Sequence, residues 1–509
     1  MTLTRIHSIS LIALDAVPVE VEVDVVSSEE FRFIIVGLPN ASVKESKDRV
    51  LAAIRNSKHS FSTYSCTVNL APADLKKEGS FYDLPIAVGT LCSMGKIKDE
   101  GRHNDYLIVG ELGLSGELRP IHGALAIAML AKKMNKKGIL LPAQNAPEAA
   151  AVPGIQIIPI HFLNEAVQFL QNPSSISPLT LEVNDSIFKN AIPSIDFADI
   201  KGQEHVKRAM EIAASGGHNV VLSGPPGSGK TMIAKALIGI MPELSLEEAL
   251  ETTKIHSIAG HLIDGKGLVT QRPFRSPHHT VSYAGLIGGG SSPRPGEVSL
   301  AHNGILFLDE LPEFNRSVIE VLRQPLEDRT VTISRAKGNY TYPTNFICIA
   351  AMNPCPCGYL GHPDKPCKDT KLQVDRYRGR ISGPIWDRMD MHIDVPALRY
   401  RDMFNVGNAE PSKDVRQRVN AARGVQKERF KSAKTNSIMS PQELKMYAPI
   451  DAAGQEVLRQ AVEDMGMSAR ACNRIVRVAR TIADLSGSSA VKYDHLMEAL
   501  NFRNQVVTR

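Results

Sequence analysis

Hydrophobic positions along this chain follow three regimes. Between Val17 and Val25, valines alternate with Glu20, Glu22 and Asp24, a period of two that predicts a β-strand with one buried face. The same block carries helical spacing over Ser42–Asn56 and Ala124–Lys136. Further on, unbroken apolar runs at Val220–Leu222, Ile305–Leu308 and Phe346–Ala351 predict strands buried on both faces. A helical pattern over Met232–Ile240 follows the first of them. Strands alternating with helices in this way build a parallel α/β sheet. From 413 to 505 the spacing is helical and strand signals almost vanish. A last pair of alternating segments, Thr330–Arg335 and Asn339–Tyr342 around Ala336-Lys337-Gly338, predicts a β-hairpin.

These regimes set the expected organisation of the 509 residues. Residues 1–170 form an α+β N-terminal domain, and 171–195, which include the polar, proline-bearing Gln171–Pro178, form a linker. Residues 196–400 form the α/β core and 401–509 a helical domain, entered through a second linker at Phe404–Pro411.

Composition changes this picture little. With 43% hydrophobic and 22% charged residues the chain reads as an ordinary globular protein, and no apolar run approaches the ~20 residues that span a bilayer. Ser10–Leu14 is too short for a signal peptide and has Asp15 behind it. Seven cysteines without framework spacing fit a reducing compartment, so a cytoplasmic location is expected. A net charge of +5 is compatible with nucleic acid but too mild to argue for it, so the placement of the charges must carry that case.

The chemistry begins directly after Val220–Leu222. Gly224, Pro225, Pro226, Gly227, Ser228, Gly229, Lys230 and Thr231 match G-x-x-x-x-G-K-[ST] between a strand and a helix, the context that pattern needs. Glycines let the backbone curl until several N–H groups face one anion, and the helix opening at Lys230 adds its positive end. Lys230 can reach the β/γ-phosphates and the Thr231 hydroxyl can hold Mg²⁺. The chain is therefore expected to bind a nucleoside triphosphate.

Other residues complete a hydrolytic set. The run Ile305–Leu308 ends in Asp309 and Glu310, at the carboxyl end of a buried parallel strand, where ligands of such sheets sit. Asp309 suits Mg²⁺ and Glu310 suits polarising the attacking water. Asn353, after the run Phe346–Ala351, either orients that water or serves as a turn asparagine. Arg388 lies between Asp387 and Asp390; it either pairs locally or projects into a neighbouring subunit's nucleotide. Arg470, Arg474, Arg477 and Arg480 recur at helical spacing, which reads mainly as a solvated or salt-bridged face. Arg470, beside the cap residue Ser468, is the one expected to touch phosphate.

Taken together these residues resemble an AAA+ ATPase of the magnesium-chelatase-like branch, and more closely the bacterial YifB/ComM family. The resemblance spans nearly the whole chain. It rests on Val36-Gly-Leu-Pro39, Val68-Asn-Leu-Ala-Pro-Ala-Asp-Leu75, Lys77-Glu-Gly79 and Asp83-Leu-Pro-Ile-Ala87, then on Phe274-Arg-Ser-Pro-His-His279, Gly296-Glu-Val-Ser-Leu-Ala-His302, Asn353-Pro-Cys-Pro-Cys-Gly358 and Ser468-Ala-Arg470. It implies that Lys230 and Thr231 belong to Walker A, Asp309 and Glu310 to Walker B, with Asn353 as sensor 1, Arg388 as arginine finger and Arg470 as sensor 2. It also implies ATP and Mg²⁺ as cofactors and a homo-oligomeric ring, a hexamer, since the finger acts in trans. The N-terminal domain resembles the Lon-protease type of fold (ribosomal S5 domain 2-like). Phe81 stands near its serine nucleophile position and Leu125 near its lysine base, so peptidase chemistry is not expected.

The resemblance extends to a pre-sensor hairpin. Arg335 and Lys337 near the tip of Thr330–Tyr342 could grip DNA phosphates, with Tyr340 stacking on a base. The stretch from Ile258 to Gly290, with Arg272, Arg275 and His278-His279, is a candidate second pore insertion. Cys355, Cys357 and Cys367 make a partial zinc pattern. Relatives carry a second Cys-x-Cys, whereas here Asp369 takes the last place; Asp369 or His362 completes the site, or the site is lost. The function implied is a ring-forming, ATP-dependent DNA translocase that drives branch migration of single-stranded or branched DNA during homologous recombination, in natural transformation. The rivals are a chelatase-like motor that remodels a partner protein and a protease-related scaffold.

Overall fold

The computed structural model describes residues 3–59, 64–180, 195–262, 267–290, 293–335, 338–397, 409–463 and 467–503. The chain divides into two compact units, one made of 1–187 with 245–270 and the other of 188–244 with 271–509.

In the first unit, β1 (Thr4–Ile12) and β2 (Asp15–Ser27) pair antiparallel through a two-residue turn in which Ala13 has φ +53°. Val19, Val21, Val23 and Val25 are all buried on one face, the outcome of their alternation. β3 (Arg32–Val36) and β4 (Tyr64–Ala71) complete a four-stranded sheet in the order β1-β2-β4-β3, with β3 parallel to β4. Helix α1 (Ala41–Asn56) starts where Asn40 accepts from the Val43 amide, and it buries Val43, Val50, Ala53 and Ile54 against that sheet's core. Helix α2 (Asp83–Ser93) is buried along almost its whole length. Its Asp83 accepts from Arg49 Nε and Nη2, at 2.7 and 3.0 Å.

A second, parallel sheet of β5 (Tyr106–Ile108), β8 (Gly138–Pro142) and β9 (Gln156–Ile160) lies in the order β5-β8-β9. The short ribbon β6 (Glu111–Leu112) and β7 (Leu118–Arg119) precedes α3 (Ala124–Lys133), and α4 (Ala146–Ala149) and α5 (Leu163–Gln171) follow. The expected linker begins ordered. Pro173–Ser175 form a 3₁₀ turn capped by Asn172, and Leu179 bridges to Ile157 of β9.

In the second unit, α6 (Glu204–Gly216) leads into β10 (Val220–Ser223) and then α7 (Lys230–Ile240). The next helix, α8 (Leu246–Ala259), belongs to the first unit although its sequence lies within the expected α/β core. Ser245 and Glu248 cap it reciprocally. Back in the second unit come β11 (Phe274–Arg275), α9 (Tyr283–Ile287), the ribbon β12 (Gly288–Gly289) and β13 (Arg294–Pro295), and β14 (Ile305–Leu308). After α10 (Arg323–Asp328), β15 (Thr330–Arg335) and β16 (Gly338–Pro343) form the expected hairpin, with Arg335 opposite Gly338. β17 (Ile347–Met352) and β18 (Met391–Asp394) complete a five-stranded parallel sheet in the order β11-β14-β17-β10-β18.

The C-terminal region is helical, as its periodicity predicts. Helix α11 (Ser412–Phe430), α12 (Ala469–Leu485) and α13 (Tyr493–Asn501) share one hydrophobic core with α6, α7 and the parallel sheet. Phe404–Pro411, expected as a linker, lies mostly outside the described residues. No described helix is long and apolar enough to cross a membrane.

Candidate functional site

Strand order explains why four distant segments meet. β17 lies between β10 and β14, all parallel, so the residues leaving their carboxyl ends share one edge of the sheet. β10 delivers the Gly224–Thr231 loop, β14 delivers Asp309 and Glu310, and β17 delivers Asn353. The loop needs its glycines. Gly227 and Gly229 have φ +77° and +88°, and a Cβ on Gly224 would sit 2.3 Å from the Val395 carbonyl oxygen.

Lys230 Nζ donates to the carbonyls of Gly224 (2.7 Å) and Pro225 (2.9 Å) and to Asn353 Oδ1 (3.3 Å). Burial pulls the Lys230 ammonium below its ordinary range, and the charges of Asp309 and Glu310 offset part of that. The Thr231 hydroxyl donates to Asp309 Oδ2 at 3.1 Å. Ser228 Oγ is buried without a hydrogen-bond partner among the described residues. A loop of ammonium, hydroxyl, orphaned buried oxygen and left-handed glycines fits a polyphosphate with its cation, the hydroxyl and Asp309 being oxygen ligands that suit Mg²⁺. Glu310, at φ +52°, stands half exposed, and its side chain faces His279 with Nδ1 and Oε2 3.7 Å apart. The sequence marks His279 only within the string Phe274–His279 and a candidate pore insertion, and no local pattern ties it to Glu310.

Arg388 is held inside its own chain. Nε donates to the Arg323 carbonyl (3.1 Å), Nη1 to the Pro384 carbonyl (2.8 Å), and Nη2 pairs with Glu327 of α10. Of the two expected alternatives, local pairing is the one this structure holds. Arg470 is exposed in the first turn of α12, which Ser468 caps, and has no side-chain partner among the described residues. The other arginines of that helix are salt-bridged or bonded rather than solvated. Arg474 pairs with Asp390, Arg477 donates to the Met439 carbonyl, and Arg480, fully buried, pairs with Asp484.

On the hairpin, Arg335 is exposed and Tyr340 half-buried opposite Ile333. Lys337 lies outside the described residues. The two arginines expected in the second insertion are engaged within the fold. Arg272 donates to the carbonyls of Pro242, Glu243 and Asn303, and Arg275 forms a two-point pair with Glu297 at 2.6 and 2.7 Å. His278 bonds Thr280, and neither histidine joins a metal-competent cluster among the described residues.

Cys355, Cys357, Cys367 and Asp369 do form such a cluster. Their sulfurs lie 3.4, 3.6 and 3.6 Å apart, and Asp369 Oδ2 is 3.7 Å from Cys367 Sγ. A tetrahedral ion with Zn–S bonds of ~2.3 Å needs sulfurs ~3.8 Å apart, so three thiolates and a carboxylate suit Zn²⁺. His362 is turned elsewhere, its Nδ1 accepting from the amides of Asp364 and Lys365.

The sheet order and the nucleotide loop together define a P-loop protein of the AAA+ class. Comparison with known proteins narrows this. Models of the magnesium chelatase subunit ChlI match residues 21–145 and 196–403, and the model of its C-terminal region matches 409–503. The chain is 40% identical to Competence protein ComM of Haemophilus influenzae, over 99% of this chain and 98% of that one. It is 39% identical to YifB of Escherichia coli over 99% and 97%. A partial match, 31% identical over 28% of this chain and 26% of the other, is Lon protease 2 of Bacillus subtilis. This chain belongs to the YifB/ComM family of magnesium-chelatase-like AAA+ proteins.

Proposed function

We propose that this chain is a ring-forming ATPase that translocates on DNA and drives branch migration during recombination, in the uptake of transforming DNA. The observation that carries the ATPase reading is the meeting of Lys230, Thr231, Asp309 and Asn353 at one edge of three adjacent parallel strands. In this reading Lys230 binds the β/γ-phosphates and Thr231 with Asp309 holds Mg²⁺. Glu310 polarises water that Asn353 helps orient, and Arg388 and Arg470 act as finger and sensor between subunits. The exposed Arg335 at the hairpin end and the likeness to a competence protein support DNA as the substrate. The first unit serves as a Lon-type platform without peptidase chemistry, a reading supported by Phe81 and by Leu125, which is wholly buried. Cys355, Cys357, Cys367 and Asp369 hold a structural Zn²⁺.

ATPase rates with and without single-stranded, duplex and branched DNA test this reading. Stimulation is expected, and Glu310→Gln should keep ATP binding while abolishing migration of a four-way junction. A variant that migrates junctions normally removes the mechanism. A wild-type rate indifferent to every DNA favours a chelatase-like motor that remodels a protein, the rival supported by the ChlI model matches.

A further inference from the structure

The end of α2 and the loop leading to β5 carry a second set of metal-competent side chains. Cys92, Asp99 and His103 bring a sulfur, a carboxylate oxygen and an imidazole nitrogen within 4.8 Å of one another, the one such group among the described residues besides the Cys355 cluster. All three come from one short stretch of chain, so local geometry assembles them. Cys92 lies in the last turn of α2, where the helix dipole favours a cation. The backbone then turns through Glu100 and Gly101, both left-handed at φ +53° and +85°, into the 3₁₀ turn Arg102–Asp105 that leads to β5. Arg102 Nη1 fastens this turn to the carbonyls of Leu170 and Gln171, at 2.6 and 2.8 Å. Gln171 Nε2 donates in return to the Lys96 carbonyl at 3.2 Å. The loop is thus pinned at two points to the end of α5.

The donor atoms are placed for a cation. Asp99 is 6% exposed; its Oδ1 accepts from the Gly101 amide (3.2 Å) and its Oδ2 from the His103 amide (2.8 Å) and ring Nδ1 (2.6 Å). A carboxylate offers about four lone-pair sites, so one remains for an ion. The Cys92 thiol has no hydrogen-bond partner among the described residues, in contrast to Cys66, which meets the Thr90 hydroxyl. Burial pushes the Cys92 thiol up to about 12, so an entering cation must displace its proton. A tetrahedral zinc with one sulfur, one nitrogen and one oxygen ligand holds those atoms ~3.3–3.6 Å apart. Exchanging the proton between His103 and Asp99 for such an ion opens that pair by about 0.7 Å.

We propose that Cys92, Asp99 and His103 form a Zn²⁺ site, with water as the fourth ligand, that staples the end of α2 to the turn before β5. The thiol selects against Mg²⁺ and Ca²⁺, which take oxygen ligands, while imidazole and carboxylate complete a set that zinc accepts. One thiolate and a water hold the ion more loosely than the three thiolates and carboxylate of the Cys355 cluster. The ion therefore leaves on dialysis against a chelator, and zinc retained by the purified chain counts the other cluster.

Cobalt titration of the dialysed full chain, with Co²⁺ standing in for Zn²⁺, tests the site through the sulfur-to-cobalt charge-transfer band. Wild type should take up one equivalent with that band. Cys92→Ser should lose the band, and His103→Ala should weaken uptake at least about tenfold, a ligand costing no less than an outer-shell partner. Cys367→Ser, which alters only the second unit, should keep both. In chelator, Cys92→Ser and His103→Ala should melt with wild type; added Zn²⁺ should raise the wild-type midpoint and leave Cys92→Ser unmoved. Should Cys92→Ser already melt lower in chelator, His103→Ala decides. Wild type that takes up no cobalt overturns the proposal. So does a band that survives Cys92→Ser, or one lost only with Cys367→Ser, which assigns it to the other cluster.

Discussion

Arg474 of the C-terminal helix α12 sets its Nη1 2.6 Å from Asp390 Oδ1, and the same nitrogen reaches the main-chain carbonyl of Arg388 at 3.2 Å. The other oxygen of Asp390 accepts from the amide of Asn219, at the foot of the strand that carries the phosphate loop. Arg503, beyond α13, donates to the carbonyls of Met389 and Asp390. One buried carboxylate therefore ties the nucleotide strand, the turn that bears Arg388 and the C-terminal helices into a single piece.

Removing one partner of this pair leaves a buried charge. Arg474→Met is expected to destabilise the second unit by about 3 kcal/mol, the usual cost of breaking a buried ion pair from one side. Urea unfolding followed through the single tryptophan, Trp386, two residues before Arg388, measures it. Burial pushes the Asp390 carboxyl up, but Arg474 and nearby His218 pull it well below the ordinary carboxylate range. Its contribution is therefore present above pH ~4, where an unfolded aspartate ionises, and is lost only as pH falls further. The wild-type advantage over Arg474→Met should accordingly hold from neutral pH to about pH 4.

Arg388 reaches a neighbour's nucleotide only by leaving Glu327 and two carbonyls of its own chain. If it acts in trans, Arg388→Ala should bind ATP yet hydrolyse it roughly a thousandfold more slowly, the scale of a missing finger. Mixing Arg388→Ala with Glu310→Gln, each inactive alone, should restore hydrolysis at sites that take Glu310 from one subunit and Arg388 from the next. Mixtures that stay inactive, under conditions where mixed rings are shown to form, assign Arg388 to its local pairing instead.

The cysteine turn is also a wall of the phosphate loop. Gly358 has φ +82°, and a Cβ there would lie 2.6 Å from Pro226 Cδ. Gly358→Ala should therefore weaken ATP binding while leaving metal content unchanged, since none of the four candidate ligands is altered. Cys367→Ser should lose the metal, read as zinc per chain by elemental analysis. Zinc-free wild-type protein removes the metal assignment and leaves the Gly358 prediction standing.

What the sequence made legible was whatever lay in consecutive residues or at a short period. The phosphate loop is one string between one strand and one helix. The valines of β2, the apolar runs of β14 and β17, and the alternating hairpin announce their own burial. The rest depended on register and on long-range contact. β11 has two residues and no pattern of its own, so nothing in sequence set His279 against Glu310. Arg474 and Asp390 are 84 residues apart, and the helical spacing of the arginines looked the same whether they met water or buried carboxylates. Helix α8 sits in sequence amid the α/β core, and only its contacts assign it to the first unit.

That assignment carries its own titratable group. Glu148 of α4 is buried, accepts from the Leu125 amide at 2.7 Å, and lies against Ser257 of α8, whose hydroxyl also accepts from the Gly123 amide at 2.7 Å. Burial lifts the Glu148 carboxyl to about 7, with the Ser257 and Leu125 contacts pulling the other way. An acid whose folded value is raised binds its proton more tightly in the folded state. Stability is therefore greatest below the unfolded value near 4.5 and declines as pH rises towards 7. The full swing is at most about 3 kcal/mol, the free energy that separates proton affinities at those two pH values. Glu148→Gln, which stays neutral and keeps an acceptor for the Leu125 amide, should flatten this dependence. Amide exchange along α8, compared at pH 5 and pH 8 after correction for intrinsic rates, should show protection falling with pH in wild type and much less in the variant. Equal pH dependence in the two proteins would mean that Glu148 is already ionised in the fold at pH 5.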